Sequence, residues 1–528
     1  MSDKIKEIDI YVSARILRHI SRGIYRTPAG ALKELISNAY DAGAIKVTIN
    51  TGYPVFEKIT VTDNGKGMTV DEFKIIIQNI GLSGKVAGTA FNLPDSNAER
   101  ITIGHYGIGI LAIGQLCSKA RISTKTMGST EGFEATIDFE QFEGKTKNGI
   151  TRSIVIDEKV IEEKDNKTGK DTKLPIGKCT IKYLKYSDKD KSTHFTKVEL
   201  EQVRELVQQK LSGGFHETYN SPPPKPSKKY SANFEQLLKL FREHEDIIRR
   251  GQYPYEKLCW ELSTYSPVKY PDLTIFNKDL SHFKSLANSH NFEVIIDGME
   301  IHKPFEKNLF EDKKNPVKEF FVWRDEEYYE KKKVSGYLIY RPYIRPKCMQ
   351  GILIRESGVA IGMYDLTFLE YPYFEGPKFE HLSGELFVEG LSGALNIDRN
   401  SFNETDDSYL ALVKWFHNKL HDEVFRKIQQ LQKSKSREDA SEIFAKLNNQ
   451  YFKKFGGGYK VDFKEIGKGK PLFLKEGKTL YINKNHPQGK PKKSAVDTLF
   501  LASFLVVSKV VDAKEMEKIL NNIAESKK

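Results

Sequence analysis

The chain has 528 residues, of which 39% are hydrophobic, which is enough for about three domains with ordinary cores. No apolar run approaches the roughly 20 residues of a membrane helix, and the N-terminus lacks the apolar core of a secretory signal, so no membrane association is expected. Four widely spaced cysteines without a Cys-x-x-Cys pair exclude a zinc ribbon and a disulfide scaffold and favour a cytoplasmic protein, while the net charge of +12 is compatible with DNA or another polyanion.

Helix and strand patterns alternate over residues 1–200. Apolar residues recur at three- and four-residue steps over 28–42, which predicts an amphipathic helix. Residues 46–50 and 58–62 alternate in the manner of half-buried strands, and the apolar segment 110–117 is predicted to be a helix that follows glycines. The pattern indicates a first domain of the α/β (α+β) class.

The rest of the chain is predicted to form four regions. Residues 201–290 are a helical linker or insertion, with a proline run at 221–227 that favours an extended segment. Residues 291–405 are strand-rich, residues 406–455 have helical periodicity, and residues 456–528 form a small basic module that ends in helices. The strands predicted in the strand-rich region lie at 292–296, 336–340, 351–354 and 384–388.

A phosphate-binding P-loop is absent from the sequence. The nearest segment, Gly81-Leu-Ser-Gly84-Lys85, resembles one only superficially, because Val86 follows the lysine in place of serine or threonine. If the chain uses ATP, it must therefore hold the phosphates in another way.

The first polar motif lies on the predicted helix at 28–42. Glu34, Asn38 and Asp41 are spaced four and then three residues apart, so they share one helix face. An amide oxygen is a suitable ligand for Mg²⁺, and a carboxylate one turn away can orient or deprotonate a water molecule. A solvated face with three polar residues is the alternative interpretation.

The second motif is Asp63-Asn-Gly65-Lys-Gly67-Met68, directly after a predicted strand. Aspartate, asparagine and glycine are common turn residues, so a simple turn is one interpretation. In the other, Asp63 accepts a hydrogen bond from an exocyclic amine such as adenine N6, and the glycines let the backbone approach the base.

The third motif, with glycines at 104, 107 and 109, opens the predicted helix at 110–117. Glycines before a helix N-terminus present free N–H groups and a favourable dipole to phosphate. The spacing of these glycines is weak by itself, but the three motifs in this order form a specific pattern.

Together the three motifs resemble the N-box, the Asp-x-Gly-x-Gly motif and the glycine-rich lid motif of the GHKL (gyrase, Hsp90, histidine kinase, MutL) ATPase superfamily. Glu34-Leu-Ile-Ser-Asn38-Ala is similar to Hsp90, and Asp41-Ala-Gly-Ala resembles MutL. The resemblance implies a Bergerat-type α/β sandwich, in which helices cover one face of a mixed sheet and ATP lies between them.

The resemblance also implies a role for each motif residue. Glu34 would be the general base for the attacking water, Asn38 the Mg²⁺ ligand, and Asp63 the residue that binds adenine. Further residues implied in ATP binding are Asp41, Gly65, Gly67, Met68, Ser83, Lys85, Gly104, His105, Tyr106, Gly107, Ile108, Gly109 and Thr180. The last belongs to Gly177-Lys-Cys-Thr180, in which the threonine is displaced from the glycine. Histidine kinases of this type generally lack the glutamate, so Glu34 favours hydrolysis over phosphotransfer.

A second segment resembles the part of the superfamily that follows the ATP-binding domain. Residues 394–403, which contain Arg399, are similar to the Hsp90 middle-domain segment that donates an arginine and to a lysine-containing segment of MORC ATPases. The resemblance implies that residues 291–405 are a transducer-like (S5-like) domain whose Arg399 stabilises charge on the γ-phosphate. A surface charge on a loop is the alternative interpretation.

The expected function is a Mg²⁺-dependent ATPase whose two domains close around ATP. Because family members close as dimers, a homodimeric clamp acting on DNA, similar to MORC and MutL proteins, is the leading hypothesis. An Hsp90-like chaperone that acts on a protein client is the alternative, and a third possibility is that nucleotide is a structural ligand without turnover. The ligands expected in every case are ATP and Mg²⁺.

Overall fold

The computed structural model of the chain describes residues 25–78, 90–93, 99–102, 104, 109–139, 143–145, 151–153, 178–213, 233–249, 251–271, 282–283, 286, 291–304, 316–373, 375–396, 399–432, 460–489, 502–503, 505–506 and 512–525. The chain divides into two compact units, residues 1–417 and 418–528. Among the residues described, we find no helix with the length and apolarity needed to cross a bilayer.

The first unit alternates between helices and strands. Its described helices are α1 (Pro28–Asp41), α2 (Val70–Gln78), α3 (Gly109–Leu116), α4 (Glu205–Ser212), α5 (Phe234–Arg249), α6 (Pro254–Tyr265) and α7 (Asp407–Lys419), the last of which ends beyond the unit boundary. Its described strands are β1 (Lys46–Asn50), β2 (Ile59–Asp63), β3 (Ala90–Asn92), β4 (Glu99–Ile101), β5 (Cys117–Lys125), β6 (Glu131–Asp138), β7 (Glu143–Lys145), β8 (Thr151–Ser153), β9 (Lys178–Lys185), β10 (Phe195–Val203), β11 (Glu293–Ile296), β12 (Met299–Ile301), β13 (Glu319–Tyr329), β14 (Lys332–Tyr340), β15 (Gly351–Glu356), β16 (Val359–Asp365) and β17 (Leu382–Val388). The α/β (α+β) class is therefore confirmed.

A large mixed sheet organises the N-terminal part of this unit. Its strand order is β12-β11-β1-β2-β10-β5-β6-β9, with β1 and β11 parallel and the other neighbours antiparallel. Side chains along β1 are alternately exposed and buried, as the two-residue period of a strand requires. Its buried residues, Val47 and Ile49, share one hydrophobic core with α1, α3 and α6, so these helices pack on the sheet.

Helix α1 passes through the interior of the unit. The side chain of Thr27 caps it by accepting a hydrogen bond from the Gly30 N–H at 3.1 Å, and Pro28 stands in its first turn. Nearly every residue of the helix is buried, charged ones included, whereas Asn38 is exposed. Since buried charges require partners, the polar face of α1 marks a place where other groups converge.

A second sheet lies later in the same unit, with strand order β13-β14-β17-β15-β16. The predicted strands at 336–340, 351–354 and 384–388 fall within β14, β15 and β17. In contrast, β11 and β12 belong to the first sheet, because β11 pairs with β1. The strand-rich region predicted to begin at residue 291 therefore includes two strands, β11 and β12, that complete the first sheet.

A buried arginine, Arg355, forms an ion pair within the second sheet and also joins that sheet to α6. The Arg355 Nε lies 2.5 Å from Glu385 Oε2 with both side chains fully buried, and Arg355 also donates to the Thr264 carbonyl at 2.9 Å. Burial opposes ionisation of Glu385, but Arg355 and Lys303 outweigh it and hold the pKa of that carboxyl below its ordinary value. The second sheet is thus fixed to a helix that packs on α1.

The second unit contains a small sheet and a helix. Strands β18 (Lys460–Lys464), β19 (Phe473–Glu476) and β20 (Thr479–Asn483) pair in the order β18-β20-β19, and α8 (Ala513–Glu525) places Met516 and Leu520 in their core. Residues 420–425 form a π-helical turn, and helix continues to residue 432. The C-terminal module was expected to end in helices, as it does at α8, but it also contains this three-stranded sheet.

Candidate functional site

Glu34 is the central acidic residue of α1. Its side chain is buried, and the Oε1 atom accepts no hydrogen bond from the residues that the structure describes. The other oxygen, Oε2, lies 3.7 Å from the Arg399 Nη1. A buried carboxylate oxygen without a donor is costly, so Oε1 marks a position where a water molecule or a ligand can bind.

Both described ends of the glycine-rich motif contact α1. The Gly104 N–H donates to Asp41 Oδ2 at 2.8 Å, and a Cβ at Gly104 would lie 2.6 Å from that same oxygen. A Cβ at Gly109, the first residue of α3, would lie 2.6 Å from Asn38 Nδ2. A methyl group at either position would therefore make Asp41 or Asn38 shift, and the two contacts bring the N-terminus of α3 to the polar face of α1.

Asp63 ends β2 and begins the second motif. Its Oδ1 accepts a hydrogen bond from the Gly65 N–H at 2.8 Å, and a Cβ at Gly65 would lie 2.8 Å from the Ala42 Cβ. This turn therefore packs against the C-terminal end of α1. Burial raises the pKa of Asp63 to about 6, against the opposing effect of N–H groups from Gly65 and Thr196.

The rest of the second motif rests on β5. Gly67 has a φ of +68°, and a Cβ there would collide with the carbonyl oxygen of Lys125. The Met68 N–H donates to Thr124 Oγ1 at 3.1 Å. The segment is a turn, which agrees with one of the two interpretations. The same turn contains the buried carboxyl group of Asp63, whose pKa is raised to about 6.

Arg399 reaches this cluster from the region of the second sheet. It follows β17 on a loop, with a φ of +50°, and its side chain is buried. A Cβ at Gly104 would lie 3.4 Å from Arg399 Nη2, so the guanidinium lies beside both Gly104 and Glu34. The interpretation of Arg399 as a surface charge is thereby excluded.

Comparison with known proteins identifies the region that carries α1 and the three motifs. A family model described as "Histidine kinase-, DNA gyrase B-, and HSP90-like ATPase" matches residues 25–168. These residues form a GHKL ATPase domain. The match confirms the predicted superfamily for this part of the chain.

Curated relatives of the GHKL domain carry the name "DNA mismatch repair protein MutL". The protein of Brucella anthropi is 27% identical over 146 residues, which are 28% of this chain and 22% of that protein. The protein of Rhizobium meliloti is 33% identical over 127 residues, which are 24% of this chain and 20% of that protein. The chain thus matches about a fifth of the length of these relatives.

The threonine that lies beside Asp63 is Thr196, on β10. It pairs directly with Asp63 across β10 and β2, and its Oγ1 lies 3.2 Å from Thr124 Oγ1. The structure places Thr180, exposed, on the edge strand β9, separated from β2 by three strands. It does not bring Thr180 to the other predicted residues. Sequence reasoning missed Thr196, because its pairing with Asp63 joins two strands that are far apart in the sequence.

Several predicted residues lie outside the described part of the chain: Ser83, Lys85, His105, Tyr106, Gly107 and Ile108. The described ones that converge on α1 are Glu34, Asn38, Asp41, Asp63, Gly65, Gly104, Gly109 and Arg399. A further residue, Lys33, was missed because its partners are backbone groups far away in the sequence.

The donor atoms of the GHKL domain fit a magnesium ion that is held together with phosphate. Asn38 presents an exposed amide one helical turn from the Glu34 carboxylate, and both are hard oxygen donors. Among the described residues, no group of three or more His, Cys, Asp and Glu side chains could hold a metal. An ion that takes one amide oxygen, with phosphate and water as its other ligands, needs no such group.

Proposed function

We propose that the chain is a Mg²⁺-dependent ATP hydrolase whose GHKL domain and second sheet together form the catalytic site. The observation that carries the proposal is the buried pair of Glu34 and Arg399, 3.7 Å apart, with Glu34 Oε1 free of donors among the described residues. One group comes from α1, and the other comes from the loop after β17.

Asp63 supplies recognition of the base. At neutral pH it is mostly a carboxylate, because burial raises its pKa only to about 6. A buried carboxylate that already accepts backbone N–H groups can accept one more hydrogen bond, from an exocyclic amine. Gly65, Gly67 and Met68 line the same turn, which suits the flat adenine ring.

Glu34 and Arg399 act at the other end of the nucleotide. Glu34 accepts a proton from the attacking water while that water forms its bond to the γ-phosphorus and the bond to the ADP oxygen breaks. The Arg399 guanidinium stabilises the negative charge that spreads over the transferred group. Asn38 would hold Mg²⁺, which neutralises phosphate charge when bound. The N-terminus of α3, which begins at Gly109, would offer N–H groups to the phosphates.

The two sources of the catalytic groups link ATP to conformation. A nucleotide that contacts both α1 and the Arg399 loop binds most tightly when these two elements lie against each other. ATP therefore favours this closed arrangement. Hydrolysis removes the γ-phosphate and with it this preference. A dimeric clamp that opens and closes with each ATP cycle is the form of this mechanism that we propose.

We further propose that the clamp acts on DNA. The matched relatives are named DNA mismatch repair proteins, and the net charge is +12, both of which favour DNA over a protein client. Lys468 and Lys470 are exposed beside β18 in the second unit. Reversing both charges is expected to weaken DNA binding and its dependence on salt, whereas Lys74→Glu on α2 is the matched control.

ATP turnover with and without duplex DNA tests the proposal. We expect Glu34→Ala to keep ATP binding and to lower turnover by about 10²–10⁴-fold, the usual contribution of a positioned base. Asp71→Ala, which removes a highly exposed carboxylate, is the control and should hydrolyse ATP normally. Unchanged turnover in Glu34→Ala would refute the catalytic assignment, and absence of DNA binding at low salt would refute the DNA clamp.

A further inference from the structure

Lys33 stands next to Glu34 on α1, but its side chain contacts the region of the second sheet. The Nζ donates to the carbonyl oxygens of Ala360 and Arg399, both at 3.0 Å, and lies 3.4 Å from Asn400 Oδ1. It also lies 4.8 Å from the centre of the Tyr265 ring, on α6. The side chain is almost fully buried, so this ammonium group is held by protein acceptors in place of water.

The acceptors of Lys33 belong to the loop that presents Arg399. An isolated bridge between Leu395 and Phe402 closes this loop, and the Arg399 N–H donates to the Asn396 carbonyl at 2.9 Å. Arg399 has a left-handed backbone, with a φ of +50°, which the loop must maintain. Lys33 therefore bonds the backbone of the residue whose guanidinium lies beside Glu34.

We propose that Lys33 is a positioning residue that sets the place of the Arg399 guanidinium relative to Glu34. Since Lys33 and Glu34 are consecutive on one helix, the bond from Lys33 to the Arg399 carbonyl ties the arginine to the same rigid element as the general base. This inference rests on the proposed function, because it gives Lys33 no role apart from that of Arg399.

The geometry also makes Lys33 a link between nucleotide and domain arrangement. It joins α1 to β16 through Ala360 and to the Arg399 loop in a single set of bonds. A movement of α1 on nucleotide binding is thereby passed to the second sheet without an intervening residue. The Lys33 ammonium group contacts the Arg399 loop and Ala360, and not the groups assigned to the nucleotide, so its loss should affect turnover more than ATP affinity.

Steady-state hydrolysis by the full chain tests this proposal. Lys33→Met keeps the aliphatic part of the side chain and removes its N–H donors. We expect kcat to fall by about 10-fold or more, with little change in KM. The upper limit is the roughly 10²–10³-fold loss that is typical of removing one charge-stabilising donor. Lys33→Arg should restore part of the rate, and Lys74→Met, on the exposed α2, is the control. The decisive variant combines Lys33→Met with Arg399→Ala.

If Lys33 acts through Arg399, the double variant hydrolyses ATP no more slowly than Arg399→Ala alone. A double variant slower by the full factor of Lys33→Met would overturn the proposal. Should Lys33→Met fail to fold, Asn400→Ala removes one acceptor, and its smaller loss of kcat must likewise vanish in the Arg399→Ala background. An Arg399→Ala variant as fast as the parent would instead refute the proposed role of Arg399, which separates the two failures.

Discussion

Replacing Asp63 by asparagine should stabilise the free protein while it weakens nucleotide binding. Burial raises the pKa of Asp63 to about 6 from an ordinary value of 3.8. When folding raises the pKa of a group, the free energy of unfolding of the protein falls as pH rises from the unfolded pKa to the folded pKa. For Asp63 that loss amounts to at most about 3 kcal/mol, at roughly 1.4 kcal/mol per pH unit, and is complete above pH 6.

The stability difference therefore has a defined pH window. Urea unfolding of the parent and Asp63→Asn, at several pH values from 4 to 8, should show a difference that grows between about pH 4 and pH 6 and is constant above pH 6. Asparagine cannot accept as well from both Gly65 and Thr196, which reduces the gain below the limit. A difference independent of pH would refute the buried, raised-pKa description of Asp63.

Nucleotide affinity should follow the same titration in the opposite sense. With a pKa of about 6, Asp63 is roughly 90% ionised at pH 7 and roughly 10% at pH 5, so binding that needs the carboxylate weakens about tenfold over this range. ATP affinity is measured by calorimetry for the parent and Asp63→Asn at both pH values. Because protonation of ATP affects both proteins alike, the difference between them reports on Asp63. Equal pH dependence in the two proteins, or full affinity in Asp63→Asn, would contradict the adenine role.

Three further experiments, with four substitutions, test the surroundings of the site and the second sheet. Gly104→Ala places a methyl group against Asp41 Oδ2, so ATP binding measured by calorimetry should weaken strongly, and unchanged affinity would contradict the close packing. Thr196→Val should weaken ATP binding whereas Thr180→Val should not, and the reverse result would restore the original assignment. Arg355→Met leaves the buried Glu385 without its ion-pair partner, so urea unfolding should show a loss of about 3–5 kcal/mol. A loss below 1 kcal/mol, as expected for an exposed pair, would contradict this expectation.

The sequence was most informative where the site is local in the chain. Glu34, Asn38 and Asp41 share one face of α1 because helical geometry alone fixes their spacing. The turn at Asp63 and the helix that begins at Gly109 are equally local, and each has a recognisable composition. For these elements the pattern of residue types predicted the element, whereas the roles of the residues came from the resemblance to the GHKL superfamily and stay predictions.

Long-range pairing was not accessible to the same reasoning. β11 pairs with β1, although the two strands are far apart in the sequence. Nothing in the residue pattern of either strand indicates which strand it pairs with. The contacts of Lys33 with the carbonyls of Ala360 and Arg399 are equally remote, and a carbonyl has no residue-specific signal. Thr180 was chosen by a motif near a glycine, whereas the sheet order places Thr196 beside Asp63.

Hydrolysis of ATP in a single turnover tests the central claim most directly, because it separates binding from chemistry. Each protein is mixed with ATP in the presence of Mg²⁺, with the protein in excess over ATP, and bound ATP and ADP are measured over time. The proteins compared are the parent, Glu34→Gln and Asp71→Ala. We expect parent and Asp71→Ala to convert bound ATP to ADP and phosphate, while Glu34→Gln binds ATP with similar affinity and leaves it intact. Conversion at the parental rate by Glu34→Gln, or failure of the parent to bind ATP, would contradict the account.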